Sequence, residues 1–319
     1  MFLSFSFIKI LEFLVIKSIS TLSANKMVLK LGSKGRDVKD LQEFLGIKAD
    51  GIFGKGTEKS VKNFQKENHL VVDGIVGQAT IESMGLVSTD NSESVYTTDN
   101  GLLIHKHYLP KGEYKEDNVE PEFLFLHHTA GWNNPYRTID HWGRDNRGAI
   151  ATEFVLGGQS IKGNDDEYDG EVVQAFPEGC YGWHLGKNGS QHMHVHSVGI
   201  EVNNFGYLKD GKTYAGTIAD ESQIIELDKE FRGYKTWHKY SSEQIESLRK
   251  LIIYIANRDN IDVRAGLPLL VKQHGAKAFE FNPDAYYGKV KGLWTHTNTR
   301  KGKFDMSPQP ELLEMLINL

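Results

Sequence analysis

An α/β domain with a mixed central β-sheet flanked by helices, preceded by a small helical domain, is what three features of the sequence predict. Short apolar runs suited to strands alternate with helical periodicities over the C-terminal two thirds. The N-terminal third carries an internal repeat of turn and helix signals. A length of 319 residues corresponds to about two domains.

In the first part, Asp50-Gly51-Ile52-Phe53-Gly54-Lys55-Gly56-Thr57 recurs as Asp73-Gly74-Ile75-Val76-Gly77-Gln78-Ala79-Thr80. Each copy reads as a tight Asp-Gly turn, in which glycine takes a positive φ, followed by a threonine helix N-cap. Val38, Leu41 and Leu45 after Gly35, then Val61 and Phe64 after Thr57, have the spacing of apolar helix faces. Residues 87–100 are poor in large apolar side chains and rich in Ser, Thr, Asp and Asn, the composition of an exposed linker.

Beyond it, residues 102–104, 123–126, 153–156, 172–176 and 197–202 read as strands. The run at 123–126 is apolar on both faces, as in a central strand. Residues 138–144 read as a helix, and Ser241-Ser242-Glu243-Gln244 starts another with Ile245, Leu248, Leu251, Ile252 and Ile255 at helical spacing. Residues 312–319 form a short closing helix, whereas 293–305 read as a loop closed by Pro308 and Pro310.

Composition narrows the function classes. A formal charge of -5 and a pI near 6.2 leave no global positive field for nucleic acid or an anionic membrane. Cys180 is the only cysteine, so an intrachain disulfide and a multi-cysteine zinc site are both excluded. Any metal must be held by His, Asp or Glu. Residues 1–26 form an apolar leader interrupted by Lys9 and Glu12. Its length suits an export signal or an anchor, but no basic residue precedes the apolar core and Leu22-Ser23-Ala24 is a poor cleavage site. The other reading is an overlong start, with Met27 as the working initiator.

Several residues can carry chemistry. His127 and His128 end a buried strand, and since side chains alternate across a strand, at most one of them is a metal ligand. His296 and Asp305 can supply two further ligands, imidazole nitrogen and carboxylate oxygen both being acceptable to zinc. Lys303, two residues before Asp305, can face a substrate oxygen beside the metal and stabilise an oxyanion; as part of a solvated Arg300-Lys301-Lys303 charge run it has no such role. Glu201 is a carboxylate inside an apolar strand, which calls for a partner or a function such as taking a proton from water. The alternating His192, His194 and His196 are a competing site if they lie on a strand, and otherwise a polar approach to the Glu201 strand. Trp142, Trp183 and His184 suit either a sugar or peptide cleft or core packing.

The N-terminal pattern, from Leu31-Gly32 through Val38, Leu41-Gln42 and Leu45-Gly46 to Asp50-Gly51-Ile52-Phe53-Gly54, Val61 and Phe64-Gln65, resembles the three-helix peptidoglycan-binding domain. The runs Phe125-Leu126-His127-His128-Thr129-Ala130-Gly131, Trp183-His184-Leu185-Gly186, Ser197-Val198-Gly199-Ile200-Glu201 and His296 with Lys303-Phe304-Asp305 resemble the zinc-dependent N-acetylmuramoyl-L-alanine amidases. That family includes phage endolysin-type enzymes and relatives of the peptidoglycan recognition proteins. The second resemblance spans about residues 101–319 and implies a zinc amidase fold. It implies zinc held by His127, His296 and Asp305, with Glu201 and Lys303 at the catalytic positions.

Two departures stand out. Many members carry Tyr-His before the strand that here begins Phe154-Val155-Leu156, where this chain has Thr152-Glu153. His274 is a rival second histidine, but only His296 has a Lys-x-Asp partner downstream. The expected organisation is therefore a leader (1–26), a peptidoglycan-binding domain (27–86), a linker (87–100) and a catalytic domain (101–319). The expected activity is hydrolysis of the amide between N-acetylmuramic acid and L-alanine by zinc-activated water. The alternative is a non-catalytic recognition protein, against which the intact ligand set argues. The expected partner is peptidoglycan, with no nucleic acid and no stable membrane partner, for a monomer acting at the bacterial cell wall after secretion or phage-type release.

Overall fold

The structure, a computed structural model, describes residues 29–68, 70–84, 95–186 and 190–319. The leader expected at 1–26 lies outside the described residues. The chain divides into two compact units, residues 1–91 and 92–319.

In the first unit, α1 (Arg36–Phe44), α2 (Lys55–Glu67) and α3 (Gln78–Ser83) enclose a core of Leu29, Val38, Leu41, Phe53, Val61, Val76, Ile81 and Met84. The repeat read from the sequence is a repeat of structure, and each copy is organised by a buried glutamine. Gln42 Nε2 lies 3.0 Å from Asp50 Oδ1, from the Ile52 carbonyl and from the Thr57 hydroxyl, while its Oε1 accepts from the Gly51 N–H at 2.8 Å. Gln65 repeats the pattern with Asp73, Ile75, Thr80 and Gly74 at 2.9 to 3.1 Å. Gly51 and Gly74 have φ of 71° and 77°, as the Asp-Gly turns require. The threonines, expected as N-caps, do something else. Thr57 and Thr80 lie inside the first turns of α2 and α3 and are buried, and each hydroxyl meets its glutamine amide.

The second unit is built on a seven-stranded mixed sheet. Its elements in chain order are β1 (Val95–Thr97), β2 (Leu103–Lys106), β3 (Phe123–His128), α4 (Pro135–Trp142), β4 (Phe154–Leu156), β5 (Val172–Gln174), α5 (Gln191–Val195) and β6 (Ser197–Val202). There follow β7 (Ile224–Phe231), β8 (Tyr234–His238), α6 (Ser242–Asp259), α7 (Leu267–His274), α8 (Pro283–Tyr286), β9 (Gly292–Thr295), α9 (His296–Thr299) and α10 (Pro310–Ile317). The sheet order is β1-β2-β5-β4-β6-β3-β9, and β7 and β8 form a separate hairpin. Parallel pairing joins β4 to β6, β6 to β3 and β3 to β9, while β1 with β2 and β4 with β5 are antiparallel. Every residue of β3 is buried, in keeping with its apolar run; fully burying a side chain such as Leu or Phe contributes about 1.5–3 kcal/mol. α6 begins at a complete capping box in which Ser241 and Gln244 serve each other's backbone N–H groups, and it buries Leu248, Leu251, Ile252 and Ile255.

Two sequence expectations are corrected, and one of two open readings is excluded. The stretch 87–100 is not linker throughout, because Val95–Thr97 pairs with Leu103–His105 as the edge of the sheet. Residues 293–305 are not one loop, because the first three complete strand β9 beside β3 and His296–Thr299 forms a helical turn. The run from His192 to His196 is not a strand, because Ser190 accepts from the Met193 N–H and starts the single helical turn α5.

Candidate active site

The three parallel strands β6, β3 and β9 end side by side, and a crevice at the carboxyl ends of such strands is the usual place for a ligand in an α/β sheet. His127 lies at the end of β3 directly opposite Glu201 of β6 in the strand register. Residues paired in register share a face, so the imidazole and the carboxylate project to the same side. His128 projects to the other side, where its Nδ1 meets the Tyr240 hydroxyl at 2.8 Å. His296 follows β9 immediately and is held by the α9 turn. There Asn298 Oδ1 accepts from the Thr295 N–H at 3.0 Å, and its Nδ2 donates to the Ala278 and Glu280 carbonyls. The segment bearing Asp305 is braced on both sides. Thr297 N–H donates to the Asp305 carbonyl at 3.1 Å, and Ser307 N–H donates to the Tyr240 hydroxyl at 3.2 Å.

These supports bring His127, His296 and Asp305 together. His127 Nδ1 and His296 Nδ1 are 3.1 Å apart, and Asp305 Oδ2 lies 3.3 Å from the first and 3.0 Å from the second. All three residues are buried, and His296 Nε2 has no hydrogen-bond partner. Ligands arranged tetrahedrally at about 2.0–2.1 Å from one divalent ion would themselves be about 3.3 Å apart, so the spacing fits such an ion. Among the described residues, no other group of three or more His, Cys, Asp or Glu side chains could hold a metal ion.

The electrostatics agree with this grouping. Burial pushes His127 down to about 4, against the opposing pull of Asp305, so its ring is neutral near pH 7. Burial would raise Asp305, but His296 and His127 outweigh it and hold its carboxyl well below the usual range. Glu201 alone in its strand retains solvent access. Burial, reinforced by the Asp305 charge and opposed by Lys303, pushes Glu201 up to about 8. Lys303 is half-buried, and its charge acts on His127, His128 and Glu201 together.

Other sequence candidates stand apart. His274 is exposed at the end of α7. Each member of the His192 run is engaged separately: His192 with Glu122 at 3.0 Å, His194 Nε2 with the Gly186 carbonyl at 2.9 Å, and His196 Nδ1 with the Glu120 carbonyl at 2.8 Å. Trp142 packs against a secondary apolar cluster, and Trp183 against Tyr181 and His194. At the position where many amidases carry tyrosine and histidine, Thr152 bonds the Phe154 carbonyl, and Glu153 is buried against Arg258 at 2.6 and 3.0 Å. Neither joins the His127 group. His184 is the neighbour that sequence reasoning left undecided. Its Nδ1 lies 2.9 Å from His127 Nε2, and its Nε2 lies 2.8 Å from Ser197 Oγ. The bracing Tyr240 was missed as well, since no local pattern marks a hydroxyl that acts across 112 residues on His128.

Comparison with known proteins agrees with the division of the chain. Residues 34–84 match the family model described as a peptidoglycan binding domain, and residues 117–285 match that described as N-acetylmuramoyl-L-alanine amidase. The second match ends before His296, so two of the three clustered side chains lie beyond it. The chain is similar to the spore cortex-lytic enzyme of Oceanobacillus iheyensis, 36% identical over 85 residues, which are 25% of this chain and 30% of the relative. It is also similar to the spore cortex-lytic enzyme of Bacillus cereus, 39% identical over 62 residues, which are 18% and 24% of the two chains. It thus spans less than a third of the length of these curated relatives. Among solved structures it is similar to the N-acetylmuramoyl-L-alanine amidase LysC from Clostridium intestinale, at 16% identity and a TM-score of 0.36 over 68% of this chain and 97% of that one. With more than half of its length matched by one family model, the chain belongs to the N-acetylmuramoyl-L-alanine amidase family.

Proposed function

We propose that this chain is a zinc-dependent peptidoglycan hydrolase that cleaves the amide between N-acetylmuramic acid and the L-alanine of the stem peptide. The observation that carries the reading is the convergence of two imidazole nitrogens and a carboxylate oxygen, 3.0 to 3.3 Å apart, beside a carboxylate that keeps solvent access. His127, His296 and Asp305 would hold the metal. When bound, zinc supplies a Lewis acid and a water of lowered pKa.

Within that frame, Glu201 accepts a proton from the attacking water and delivers it to the departing amine of L-alanine. Burial raises the affinity of Glu201 for a proton in the metal-free site, and a bound cation would oppose that shift and favour the carboxylate a base requires. Lys303 donates to the carbonyl oxygen as negative charge develops there. Tyr240 keeps the Asp305 segment in place by gripping Ser307 and Gln309. The first unit, with its match to the peptidoglycan binding domain, holds the chain at the cell wall and raises the local concentration of substrate amides around the second. Among the described residues no helix is long and apolar enough to cross a membrane.

The test is digestion of purified peptidoglycan by the zinc-loaded protein, scored for both new free amines and new reducing ends. Free amines without reducing ends are expected. Reducing ends would indicate a glycosidase, and neither product would indicate a protein that binds the wall without cutting it.

A further inference from the structure

We propose that His184 is a positioning residue of the metal centre, accepting the Nε2 proton of His127 from behind and so keeping the His127 Nδ1 lone pair turned toward His296 and Asp305. The inference rests on the metal-centre reading above. A chain of three groups runs inward from the cluster: His127 Nε2 to His184 Nδ1 at 2.9 Å, then His184 Nε2 to Ser197 Oγ at 2.8 Å. All three residues are buried. A neutral imidazole has one N–H and one acceptor nitrogen, so the chain has only two consistent settings.

In one setting the Ser197 hydroxyl donates to His184, which donates to His127, placing the His127 proton on Nδ1 amid the cluster. In the other every bond is reversed and Nδ1 is left bare. One observation and the metal-centre reading together select the second. Ser197 Oγ has another acceptor to donate to, the His194 carbonyl at 3.5 Å, which frees its lone pairs for His184. Without a cation, Asp305 Oδ2 at 3.3 Å would favour a proton on His127 Nδ1; with a cation held there the ligating nitrogen must be bare, so the second setting is that of the metal-bound site. A histidine ligand is ordinarily oriented by a carboxylate, carbonyl or water behind it, and here a second imidazole takes that place.

The surroundings hold His184 for this role. His194 Nε2 donates to the Gly186 carbonyl at 2.9 Å and its Nδ1 accepts from the Leu185 N–H at 3.4 Å, fixing the segment that carries His184. Gly199 leaves room for the ring: a Cβ there would lie 3.2 Å from His184 Cγ and 2.7 Å from Thr152 Cγ2.

The experiment measures zinc dissociation constants by chelator competition for wild type, His184→Leu, His184→Asn and Ser197→Ala. It also records 15N and proton resonances of the histidines in the zinc-loaded wild type. His184→Leu should weaken zinc binding about 10–100-fold, the usual cost of losing such a partner. His184→Asn, whose amide oxygen can take the place of Nδ1, should restore most of that loss. Ser197→Ala should fall between the two. In the wild-type spectra His127 should show an exchange-protected Hε2, and His184 should be protonated on Nε2. Wild-type affinity in His184→Leu, equal losses in the Leu and Asn variants, or a proton on His184 Nδ1 would each overturn the proposal. If His184→Leu does not fold, Ser197→Ala and the spectra still decide. A protein that binds zinc as described but leaves the wall uncut would sink the amidase activity and leave this inference standing.

Discussion

Two groups of histidines lie in the second unit, and they differ in nearly everything except residue type. His192, His194 and His196 fall within five positions of one another, yet each is satisfied separately, by a surface carboxylate or a backbone carbonyl. His127, His184 and His296 come from remote parts of the chain, the first and the last 169 positions apart, yet their nitrogens face one another at 2.9 and 3.1 Å. Density in sequence therefore does not bring candidate ligand atoms together. The parallel pairing of β6, β3 and β9 does, because it ends three strands at one level.

The comparison can be broken most easily at its strongest point. His127→Ala should abolish zinc retention after dialysis, from about one ion per chain to a trace, together with all wall-lytic activity, because a catalytic site is built on three protein ligands. Elemental analysis checks it, and full retention would transfer the metal to some other group. Glu201→Gln separates holding from chemistry: kcat should fall about 10²–10⁴-fold while zinc content stays at the wild-type level. Lys303→Ala should cost about 10²–10³-fold in kcat, again with zinc retained, and loss of the metal in that variant would assign Lys303 a structural part instead.

A smaller effect concerns the zinc-free protein. Burial pushes His128 down to about 4 and His238 to about 3, from an ordinary 6.5. The folded state therefore resists protons that the unfolded chain accepts. The stability these groups contribute is complete above about pH 6.5 and is lost as the pH falls toward those values, at up to about 1.4 kcal/mol per pH unit for each. Urea midpoints should drop between about pH 7 and about pH 5, and a flat profile would show that these rings are accessible to protons in the fold. Smallest of all, His192→Ala and His196→Ala should change stability by no more than about 0.5 kcal/mol and leave zinc affinity unchanged, since the contact of His192 with Glu122 is exposed.

Much of this arrangement is legible in the sequence itself. The β6 strand stood out because Glu201 is the one charge in an apolar run, and the start of α6 because Ser241 and Gln244 have capping-box spacing. The duplicated Asp-Gly turns were visible, but their fastening was not. Threonine three residues into a helix looks like a cap in sequence, and only the buried Gln42 and Gln65 amides explain why it lies inside instead. Strand β9 was hidden because it is short and runs directly into the His296 turn, so no alternation develops before the helix begins. The hairpin of β7 and β8 escaped because its charged face dilutes the apolar pattern, as in Glu226, Asp228 and Glu230. His184 could not be ranked, because a bond formed across 57 residues leaves no trace in local spacing.

Anomalous scattering at the zinc edge from crystals of the zinc-loaded protein bears most directly on the claim that distant side chains share one ion. A single peak is expected about 2.0–2.2 Å from the Nδ1 atoms of His127 and His296 and from Oδ2 of Asp305. A peak at His192 and Glu122, or none beside His127, would contradict the account.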